Sequence, residues 1–574
     1  MKSSEPQSNQ WSILPRIPPD VAHELNNYPP ILRQLLYNRG YTTREDAGHF
    51  LQAAQPDEDD PFKLLGMHEA VERLTYAIQH QEPIAIYGDY DVDGVTATAL
   101  LTEALKALGG NVRPYIPNRF DEGYGLNNDT LQNLKDEGIR LVVTVDCGIR
   151  SLPEAEHARS IGLDLIISDH HRPIAELPVA VAVINQKQPG DTYPDKHLAG
   201  VGLAFKLVEA LCQQPALMLP QAELQVDRWL DLVALGTVAD LVSLVGENRS
   251  LVRRGLDHLR QPQRQGLFSL MNIAGLPPAR ITTRDIGFVL GPRINAAGRL
   301  DSALAALELL LTEDVFEAGR LAQKLHIQNQ DRQKLTNEIQ VQAEQIAFQE
   351  NPDALLLFAA HPDFNPGVVG LAASRLMETY YRPAIVASQG LEFTRGSCRS
   401  ISEFHITRAL DRCSDLLVRH GGHAAAAGFT VSNDNLPELI TRLQAIAAEQ
   451  LGSLDLRPTL RIDMEIPLRE LKPELLPYLD QLEPTGMDNP QAVFASRGLQ
   501  VRYSRTVGHD NSHLKLVVND GRLSYDAIAF RQGHWQDKMP AIIDLAFTFE
   551  IKEYNGHQSL QLNVKDLKPA STLV

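Results

Sequence analysis

The chain has 574 residues, of which 43% are hydrophobic and 22% are charged. This composition excludes a disordered chain, a collagen-like chain and a disulfide-dense secreted scaffold, and the length predicts two to four domains. The formal net charge is −18, from 54 Lys and Arg against 72 Asp and Glu. That balance argues against a uniformly basic coat protein, but it is compatible with a nucleic-acid enzyme that has an acidic, metal-binding cleft.

The sequence carries no signal for membrane insertion or export. No stretch approaches the ~20 consecutive apolar residues of a membrane helix, and the polar N-terminus lacks the apolar core of a signal peptide. The four cysteines show no spacing typical of a disulfide framework. We therefore expect a cytoplasmic protein with no membrane partner.

The first half of the chain predicts a helical N-terminal region followed by an α/β domain. Residues 32–51 predict two short helices, and an acidic, proline-terminated break follows them. From residue 83 onwards, short β-branched runs alternate with helices, which predicts a parallel sheet covered on both faces. The predicted strands are residues 84–87, 141–145, 165–167 and 179–184, with a helix at 95–108 after the first of them.

The second half of the chain predicts three further parts. Residues 321–350 contain no Gly or Pro and predict a helix roughly 45 Å long, which is enough to connect two lobes. A second α/β unit follows, with strands at 354–359 and 383–387 and a helix at 369–380. Four alternating segments after residue 452, with two hairpin-turn signals, predict a small antiparallel barrel. These segments are 499–503, 513–518, 522–530 and 542–552, and the turns are 519–521 and 554–556.

Acidic and histidine residues follow three of the predicted strands. They are Asp89, Asp91 and Asp93 after the first strand, Asp146 after the second, and Asp169, His170 and His171 after the third. Because the carboxyl ends of parallel strands share one edge of a sheet, we expect these side chains to converge. Crowded carboxylates raise each other's pKa unless cations neutralise them. The mixture of carboxylates and imidazoles suits two Mn²⁺ or Mg²⁺ ions, and Asp240, which ends a helical run, is a further candidate ligand.

Simpler interpretations of the acidic loop compete with a metal centre. Residues 89–94 match the start of an EF-hand calcium loop, but its twelfth position would be Leu100 instead of Glu, and a strand precedes it. A single Asp after a strand most often caps the next helix, an explanation that repetition at three strand ends disfavours. The loop also lacks the sequence of a nucleotide-binding P-loop.

Several arginines lie among small residues, which let backbone amides and a guanidinium approach a phosphate together. These are Arg119, Arg293 and Arg299, the last two flanking Asn295, and Arg399 near Ser397. Ordinary surface arginines remain an open alternative. Segment 420–428 is almost free of bulky side chains and favours a loop that contacts phosphate or a nucleic-acid strand. The rival interpretation is zinc bound by Cys398, Cys413, His420 and His423, which lack a C-x-x-C knuckle.

Taken together, segments 89–94, 145–148, 169–171 and 239–240 resemble the four motifs of the DHH phosphoesterase superfamily. Segments 291–299 and 421–428 resemble signatures of its RecJ branch, the single-strand-specific 5′→3′ DNA exonucleases. The resemblance implies an α/β fold with a parallel-sheet DHH domain, a long helix, a smaller α/β DHH-associated (DHHA1) domain and a C-terminal OB-fold β-barrel. The expected domains are an N-terminal helical region at 1–57, DHH at 58–320, the connecting helix at 321–350, DHHA1 at 351–452 and OB at 453–574.

The resemblance also implies roles for individual residues. Two Mn²⁺ or Mg²⁺ ions would be held by Asp89, Asp91, Asp93, Asp146, His170 and Asp240. The catalytic set would be Asp91, Asp93, Asp146, His170 and His171, with Asp146 bridging the ions and His171 contacting the scissile phosphate. Arg119, Ser397 and Arg399 would bind the 5′-phosphate end, and Arg293, Asn295, Arg299 and His423 would contact the strand.

The implied activity is degradation of single-stranded DNA from 5′ to 3′ into 5′-mononucleotides, by two-metal phosphodiester hydrolysis, in recombination and repair. A DHH phosphodiesterase acting on small nucleotides and a non-catalytic replication-scaffold relative stay open as alternatives. The family also implies cooperation with a single-strand-binding protein and a RecQ-type helicase, and we expect a monomer. Departures from the family pattern, which bear on strand contacts, are Phe364-Asn365, Glu403, and Thr485 and Asp488 within 482–490.

Overall fold

The structure is a computed structural model that describes residues 9–56, 59–118, 125–217, 225–300, 302–508, 511–554 and 557–570. The chain divides into two compact units. We call Glu45–Asp331 with Gln481–Pro490 the parallel-sheet unit, and the segments up to Arg44, Arg332–Asp480 and from Gln491 onwards the barrel unit.

The N-terminal segment contains strand β1 (Gln10–Ile13) and helices α1 (Pro19–Glu24), α2 (Pro30–Asn38) and α3 (Arg44–Gln52). The predicted pair of short helices is confirmed by α2 and α3, between which Gly40 has a φ of 88°. Strand β1 was not predicted, because only helices were expected in this region. It forms because it pairs in parallel with Thr459–Ile462, more than 400 residues away in the chain.

A five-stranded sheet forms the centre of the parallel-sheet unit. Its strands pair in the order β3-β2-β4-β5-β6, and all of them are parallel. Strand β3 was not predicted, because Pro114 interrupts its hydrophobic pattern, and it lies at the edge of the sheet, where a proline is tolerated. The elements are α4 (Met67–Gln79), β2 (Ile84–Gly88), α5 (Val92–Ala107), β3 (Val112–Tyr115), α6 (Asn128–Asp136), β4 (Leu141–Val145), α7 (Leu152–Ser160), β5 (Asp164–Ser168), β6 (Ala182–Ile184) and α8 (Gly200–Cys212).

The central strands are buried on both faces. In β4, Val143 and Val145 belong to one hydrophobic cluster, whereas Val142 belongs to a second cluster on the opposite face. This confirms the predicted parallel sheet with two covered faces. The chain order reverses between β2 and β4, so the loops after these two strands diverge and leave a crevice at the carboxyl edge of the sheet.

Helices complete the parallel-sheet unit. The last of them, α15, confirms the predicted long helix but begins at residue 315 instead of 321, and the division between the two units falls within it. The elements are α9 (Leu230–Ala239), α10 (Gly246–Arg260), α11 (Gln265–Ile273), α12 (Thr283–Asp285), a single π-helical turn (Ile286–Leu290), α13 (Gly291–Leu300), α14 (Leu304–Leu311) and α15 (Val315–Glu350).

Segment Gln481–Pro490 returns to the parallel-sheet unit and is held there by Arg249. Arg249 is 2% exposed, and its guanidinium donates hydrogen bonds to five backbone carbonyls, at 2.8–3.2 Å. The accepting carbonyls are those of Phe50, Gln481, Leu482, Glu483 and Pro484. The Thr283 hydroxyl also donates to the Thr485 carbonyl at 2.6 Å.

The barrel unit contains a second, mixed sheet. Its order is β10-β11-β9-β8-β7, and only β7 and β8 are parallel. The predicted strands and helix of this α/β unit are confirmed, with small shifts at the strand ends. The elements are β7 (Leu357–His361), α16 (Val369–Tyr380), β8 (Ala384–Gln389), β9 (Phe393–Arg399), α17 (Ile406–Asp411), β10 (Leu417–Gly422), β11 (Ala426–Ser432) and α18 (Leu436–Leu451).

The C-terminal region is a closed five-stranded barrel. Strands pair in the order β14-β15-β16-β18-β17, and β17 pairs back to β14. The barrel is confirmed, but the prediction that it is antiparallel throughout is wrong for β16 and β18, which are parallel. The elements are β12 (Thr459–Ile462), β13 (Met464–Glu465), α19 (Leu476–Asp480), β14 (Phe494–Val507), β15 (His513–Asn519), β16 (Ser524–Ala529), β17 (Ile542–Tyr554) and β18 (His557–Pro569).

These architectures confirm the predicted fold class. The turn at residues 519–521 joins the antiparallel strands β15 and β16, as predicted. Of the second predicted turn, Asn555 and Gly556 lie outside the described residues. No helix in the described ranges combines the length and apolar character needed to span a bilayer.

Replacing Arg249 by methionine should lower the free energy of unfolding by about 3–5 kcal/mol, because buried carbonyls lose their donor. Urea unfolding followed by circular dichroism measures this change. Arg260→Ala is the control, because Arg260 is a partly exposed residue of the same helix, paired with Asp257, and its loss should cost less than about 1 kcal/mol. Equal stability of the two variants would show that Arg249 does not anchor the returning segment.

Candidate metal centre

The six predicted metal-site residues come together at the carboxyl edge of the parallel sheet. Asp89 and Asp91 lie in the loop after β2, Asp93 in the first turn of α5, Asp146 after β4, His170 after β5, and Asp240 directly after α9. Their ligand atoms form three overlapping groups, within each of which all atoms lie within 4.8 Å of one another. The groups are Asp89, Asp91 and Asp146; Asp93, His170 and Asp240; and Asp146, His170 and His171.

His170 lies at the centre of the cluster. Its Nε2 is 3.2 Å from Asp146 Oδ1, 3.4 Å from Asp240 Oδ2 and 3.9 Å from Asp93 Oδ2. Within the described part of the chain, neither ring nitrogen of His170 nor Asp146 Oδ1 has a hydrogen-bond partner, although all three atoms are buried. Because buried polar atoms are normally satisfied, these atoms call for a further ligand, and oxygen and imidazole donors fit a divalent cation.

The electrostatics of the cluster favour the same explanation. Burial, with a contribution from Asp91, raises the pKa of Asp93 to about 7, and burial with Asp93 raises the pKa of Asp240 to about 8. Burial and the neighbouring carboxylates also raise the pKa of Asp146 well above its usual value. Burial lowers the pKa of His170 to about 3, so its imidazole is neutral. A neutral imidazole can bind a cation directly, and a cation would stabilise the ionised carboxylates.

The backbone of α8 holds Asp93 in place. The Gly200 N–H donates to Asp93 Oδ2 at 2.6 Å and the Val201 N–H donates to Oδ1 at 2.8 Å. The residues at 200 and 236 must be small, because a Cβ at Gly200 would lie 2.6 Å from the Asp146 Cβ, and one at Gly236 would lie 2.3 Å from Thr96 Oγ1 and 3.0 Å from Asp93 Oδ1. Neither glycine was predicted as part of the site, although the run of small residues at 199–202 was a usable signal for Gly200.

Asp169, the first residue of the DHH triplet, belongs to none of the three groups. Its Oδ1 accepts from the His171 N–H at 2.9 Å and lies 2.8 Å from His171 Nδ1, while Oδ2 accepts from the Ile149 N–H at 2.9 Å. Against the effect of burial, these hydrogen bonds and the His171 charge hold the pKa of Asp169 below its usual value. Against its own burial, Asp169 raises the pKa of His171. Asp169 therefore orients His171.

A cavity of about 380 Å³ adjoins the cluster. The predicted strand-contact residues Asn295 and Arg299 line it, together with Asp89, Asp91 and His171. Tyr90, Arg150 and Gly298 complete its lining, and none of these three was predicted as a site residue.

The structure does not bring Arg293 into this cavity. Its guanidinium donates to the Val289 carbonyl at 2.7 Å and to His326 Nδ1 at 3.3 Å. The side chain therefore ties helix α13 to neighbouring helical segments instead of facing the acidic cluster.

Of the remaining predicted substrate residues, Ser397, Arg399 and His423 belong to the barrel unit. Ser397 and Arg399 are two positions apart on β9, and Arg399 Nη1 lies 3.4 Å from Ser397 Oγ. Both approach the first turn of α16, where a Cβ at Gly370 would lie 2.9 Å from Ser397 Oγ and 3.2 Å from Arg399 Nη2. His423 is exposed in the connection between β10 and β11, and Arg119 lies outside the described residues.

The zinc alternative is not supported. Among the described residues, the groups suited to a metal do not include Cys398, Cys413, His420 or His423. Burial raises the pKa of the Cys398 thiol to about 12, which disfavours the thiolate that zinc would need. Instead, His420 Nε2 lies 2.9 Å from Asp411 Oδ1.

Family models match three segments of the chain. The N-terminal domain of the DHH family matches residues 83–237, the DHHA1 domain matches 352–449 and the RecJ OB domain matches 462–566. The parallel sheet with its acidic cluster, the mixed sheet and the closed barrel correspond to these three matches. The fold and the site therefore define a DHH phosphoesterase that also carries DHHA1 and OB domains.

The chain is 39% identical over 541 residues to the single-stranded-DNA-specific exonuclease RecJ of Bacillus subtilis, covering 94% of this chain and 68% of that protein. It is 35% identical over 566 residues to RecJ of Escherichia coli, covering 94% and 96%. The crystal structure of Thermus thermophilus RecJ in complex with Mn²⁺ has a TM-score of 0.83 at 30% identity, covering 98% of this chain and 80% of that chain. The chain belongs to the RecJ family of single-stranded-DNA-specific exonucleases.

The raised pKa values predict how stability changes with pH when metal is removed. The pKa of Asp240 is about 8 in the folded protein and near its usual value of 3.8 in the unfolded chain. At neutral pH the folded protein therefore holds a proton that the unfolded chain has released, and the stability that comes from this proton is lost as the pH rises through 8. In EDTA, the wild type should therefore lose about 1–2 kcal/mol more stability between pH 6.5 and 8.5 than Asp240→Asn does.

Urea unfolding of both proteins at the two pH values measures this difference. Added Mn²⁺ should oppose the loss in the wild type, because the cation binds the ionised carboxylate. An identical pH dependence of the wild type and Asp240→Asn in EDTA would contradict the raised pKa.

Proposed function

We propose that this chain is a metal-dependent hydrolase that degrades single-stranded DNA from 5′ to 3′ and releases 5′-mononucleotides. The observation that carries the proposal is the overlap of three ligand groups through Asp146 and His170, at the switch point of the parallel sheet. The OB domain and the complete set of motif carboxylates favour a nuclease over a small-nucleotide phosphodiesterase or a non-catalytic scaffold. We place its activity in DNA recombination and repair.

Two divalent cations, Mn²⁺ or Mg²⁺, are the proposed cofactors. RecJ of Thermus thermophilus has been solved in complex with each of these ions. When bound, the cations would activate water as a nucleophile at neutral pH and stabilise charge on the phosphoryl oxygens. The proposed ligands are Asp89, Asp91, Asp93, Asp146, His170 and Asp240.

The chain's own residues would position the substrate. Asp146 belongs to two ligand groups, which supports its proposed role as the shared, bridging carboxylate. His171, whose pKa is raised by Asp169 despite burial, would donate a hydrogen bond to the scissile phosphate and stabilise the charge that develops there. Asn295 and Arg299 would hold the strand in the adjoining cavity.

The 5′-phosphate would be bound by Ser397 and Arg399, with Arg119 as a further contact. A hydroxyl and a guanidinium that converge on the start of the 12-residue helix α16 suit a terminal phosphate, because the N–H groups of a helix N-terminus favour anions. His423 would contact the nearby strand. We assign Arg293 a positioning role within α13, because Val289 and His326 occupy its guanidinium.

Further proposals concern organisation and partners. The domain boundaries proposed from the sequence are retained, with β1 added to the N-terminal helical region. We propose a monomer, and we propose that it acts with a single-strand-binding protein and a RecQ-type helicase, as the family resemblance implies. The four free cysteines support a reducing compartment, and we propose the cytoplasm.

Asp146→Asn should abolish Mn²⁺-dependent release of mononucleotides from 5′-labelled single-stranded DNA, because an amide cannot replace a shared carboxylate. Asparagine is the chosen replacement because residue 146 has a φ of 63°, which asparagine tolerates. A single-strand and a duplex substrate, assayed side by side, test strand specificity. Asp136→Asn, on the exposed side of α6, should keep full activity. Activity in Asp146→Asn, or equal cleavage of duplex DNA by the wild type, would refute the proposal.

Arg399→Ala should reduce the preference for 5′-phosphorylated over 5′-hydroxyl single strands by about 10-fold, the usual effect of one charged hydrogen bond. Competition between the two substrates measures the preference. Arg395→Ala, from the same strand, is the matched control and should leave the preference unchanged. An unaltered preference in Arg399→Ala would place the phosphate pocket elsewhere.

A further inference from the structure

Arg150 lines the cavity beside the acidic cluster but belongs to none of the sequence motifs. It shares the cavity with Asp89, Asp91 and His171, which the proposed mechanism places at the reacting centre. Arg150 lies on the turn after β4, only four residues beyond Asp146, and its positive charge therefore stands next to the acidic cluster.

The backbone around Arg150 is fixed by the same carboxylate that orients His171. Asp169 Oδ2 accepts from the Ile149 N–H at 2.9 Å, while its Oδ1 lies 2.8 Å from His171 Nδ1. On the other side, the Ser151 N–H donates to the Gly148 carbonyl at 3.0 Å, and α7 begins at the next residue. Arg150 and His171 are therefore held in a fixed relation before any substrate binds.

The guanidinium of Arg150 is anchored at one nitrogen. Its Nε donates to the Arg172 carbonyl at 3.0 Å, and this is its sole hydrogen bond to the described part of the chain, where it also makes no ion pair. The two terminal nitrogens thus remain available as a pair of donors. These two nitrogens match the spacing of two phosphate oxygens. The hydrogen bond at Nε already restricts the Arg150 side chain, so less conformational entropy is lost when a phosphate binds.

We propose that Arg150 is a substrate-contacting residue that binds the scissile phosphate together with His171. This inference rests on the proposed function. Asp89 and Asp91 alone would repel a phosphodiester from this cavity, whereas Arg150 and Arg299 attract it. Asp169 serves both phosphate contacts at once, by orienting His171 and by fixing the turn that presents Arg150.

Arg150→Met tests the inference on two substrates, a long single strand and a 5′-phosphorylated dinucleotide with a single phosphodiester. Loss of one charged contact to the reacting group should lower kcat/KM by about 10- to 100-fold on both. The slope of log kcat/KM against log salt on the long strand should also become shallower by about 0.7. Arg150→Lys should recover part of the loss, because lysine keeps the charge but not the fork.

The control is Arg159→Ala, which removes an exposed arginine of α7 paired with Glu156 and should change neither measurement. The rise in Tm that Mn²⁺ produces should be the same in Arg150→Met as in the wild type. Wild-type activity in Arg150→Met, a loss confined to the long strand, or a lost Mn²⁺ effect on Tm would each overturn the inference. A wild type that fails to cleave single-stranded DNA would instead refute the proposed function.

Discussion

Repulsion among the carboxylates at one edge of the parallel sheet is the constraint on which the site depends. Burial and mutual repulsion raise the pKa of Asp93, Asp146 and Asp240. The fold tolerates this arrangement because strand order reverses at the crevice and because two N–H groups at the start of α8 bind Asp93. The protein thus holds a high density of negative charge in fixed positions, and cations are the natural means of neutralising it.

The residues around the cluster let helices approach the carboxylates closely and orient His171. Gly200 and Gly236 let two helices pass close to Asp146 and Asp93, where a Cβ would collide with Asp146 at position 200 and with Thr96 at position 236. Asp169 belongs to none of the three candidate ligand groups, yet it fixes the direction of His171 and the turn that carries Arg150. One short motif therefore contains a candidate metal ligand, His170, next to the residue that orients His171.

Much of the fold could be predicted because the central strands are buried on both faces and read as continuous β-branched runs, as in Leu141–Val145. Strand β3 was missed because Pro114 breaks such a run, and β1 because its partner lies far away in the chain. Most of the metal-type residues could be found because they follow strands, whereas Asp240 follows helix α9. Arg150 could not, because its position depends on a turn held by Asp169, which no local pattern reveals.

The return of Gln481–Pro490 to the parallel-sheet unit has a consequence for how the protein can be divided. The polypeptide passes between the two units four times, at residues 44/45, 331/332, 480/481 and 490/491. A fragment ending at the long helix would leave a buried guanidinium without most of its acceptors, because four of the carbonyls that bind Arg249 lie after residue 480. The parallel-sheet unit is consequently not a contiguous stretch of sequence, because the ten residues Gln481–Pro490 belong to it although they follow a long segment of the barrel unit.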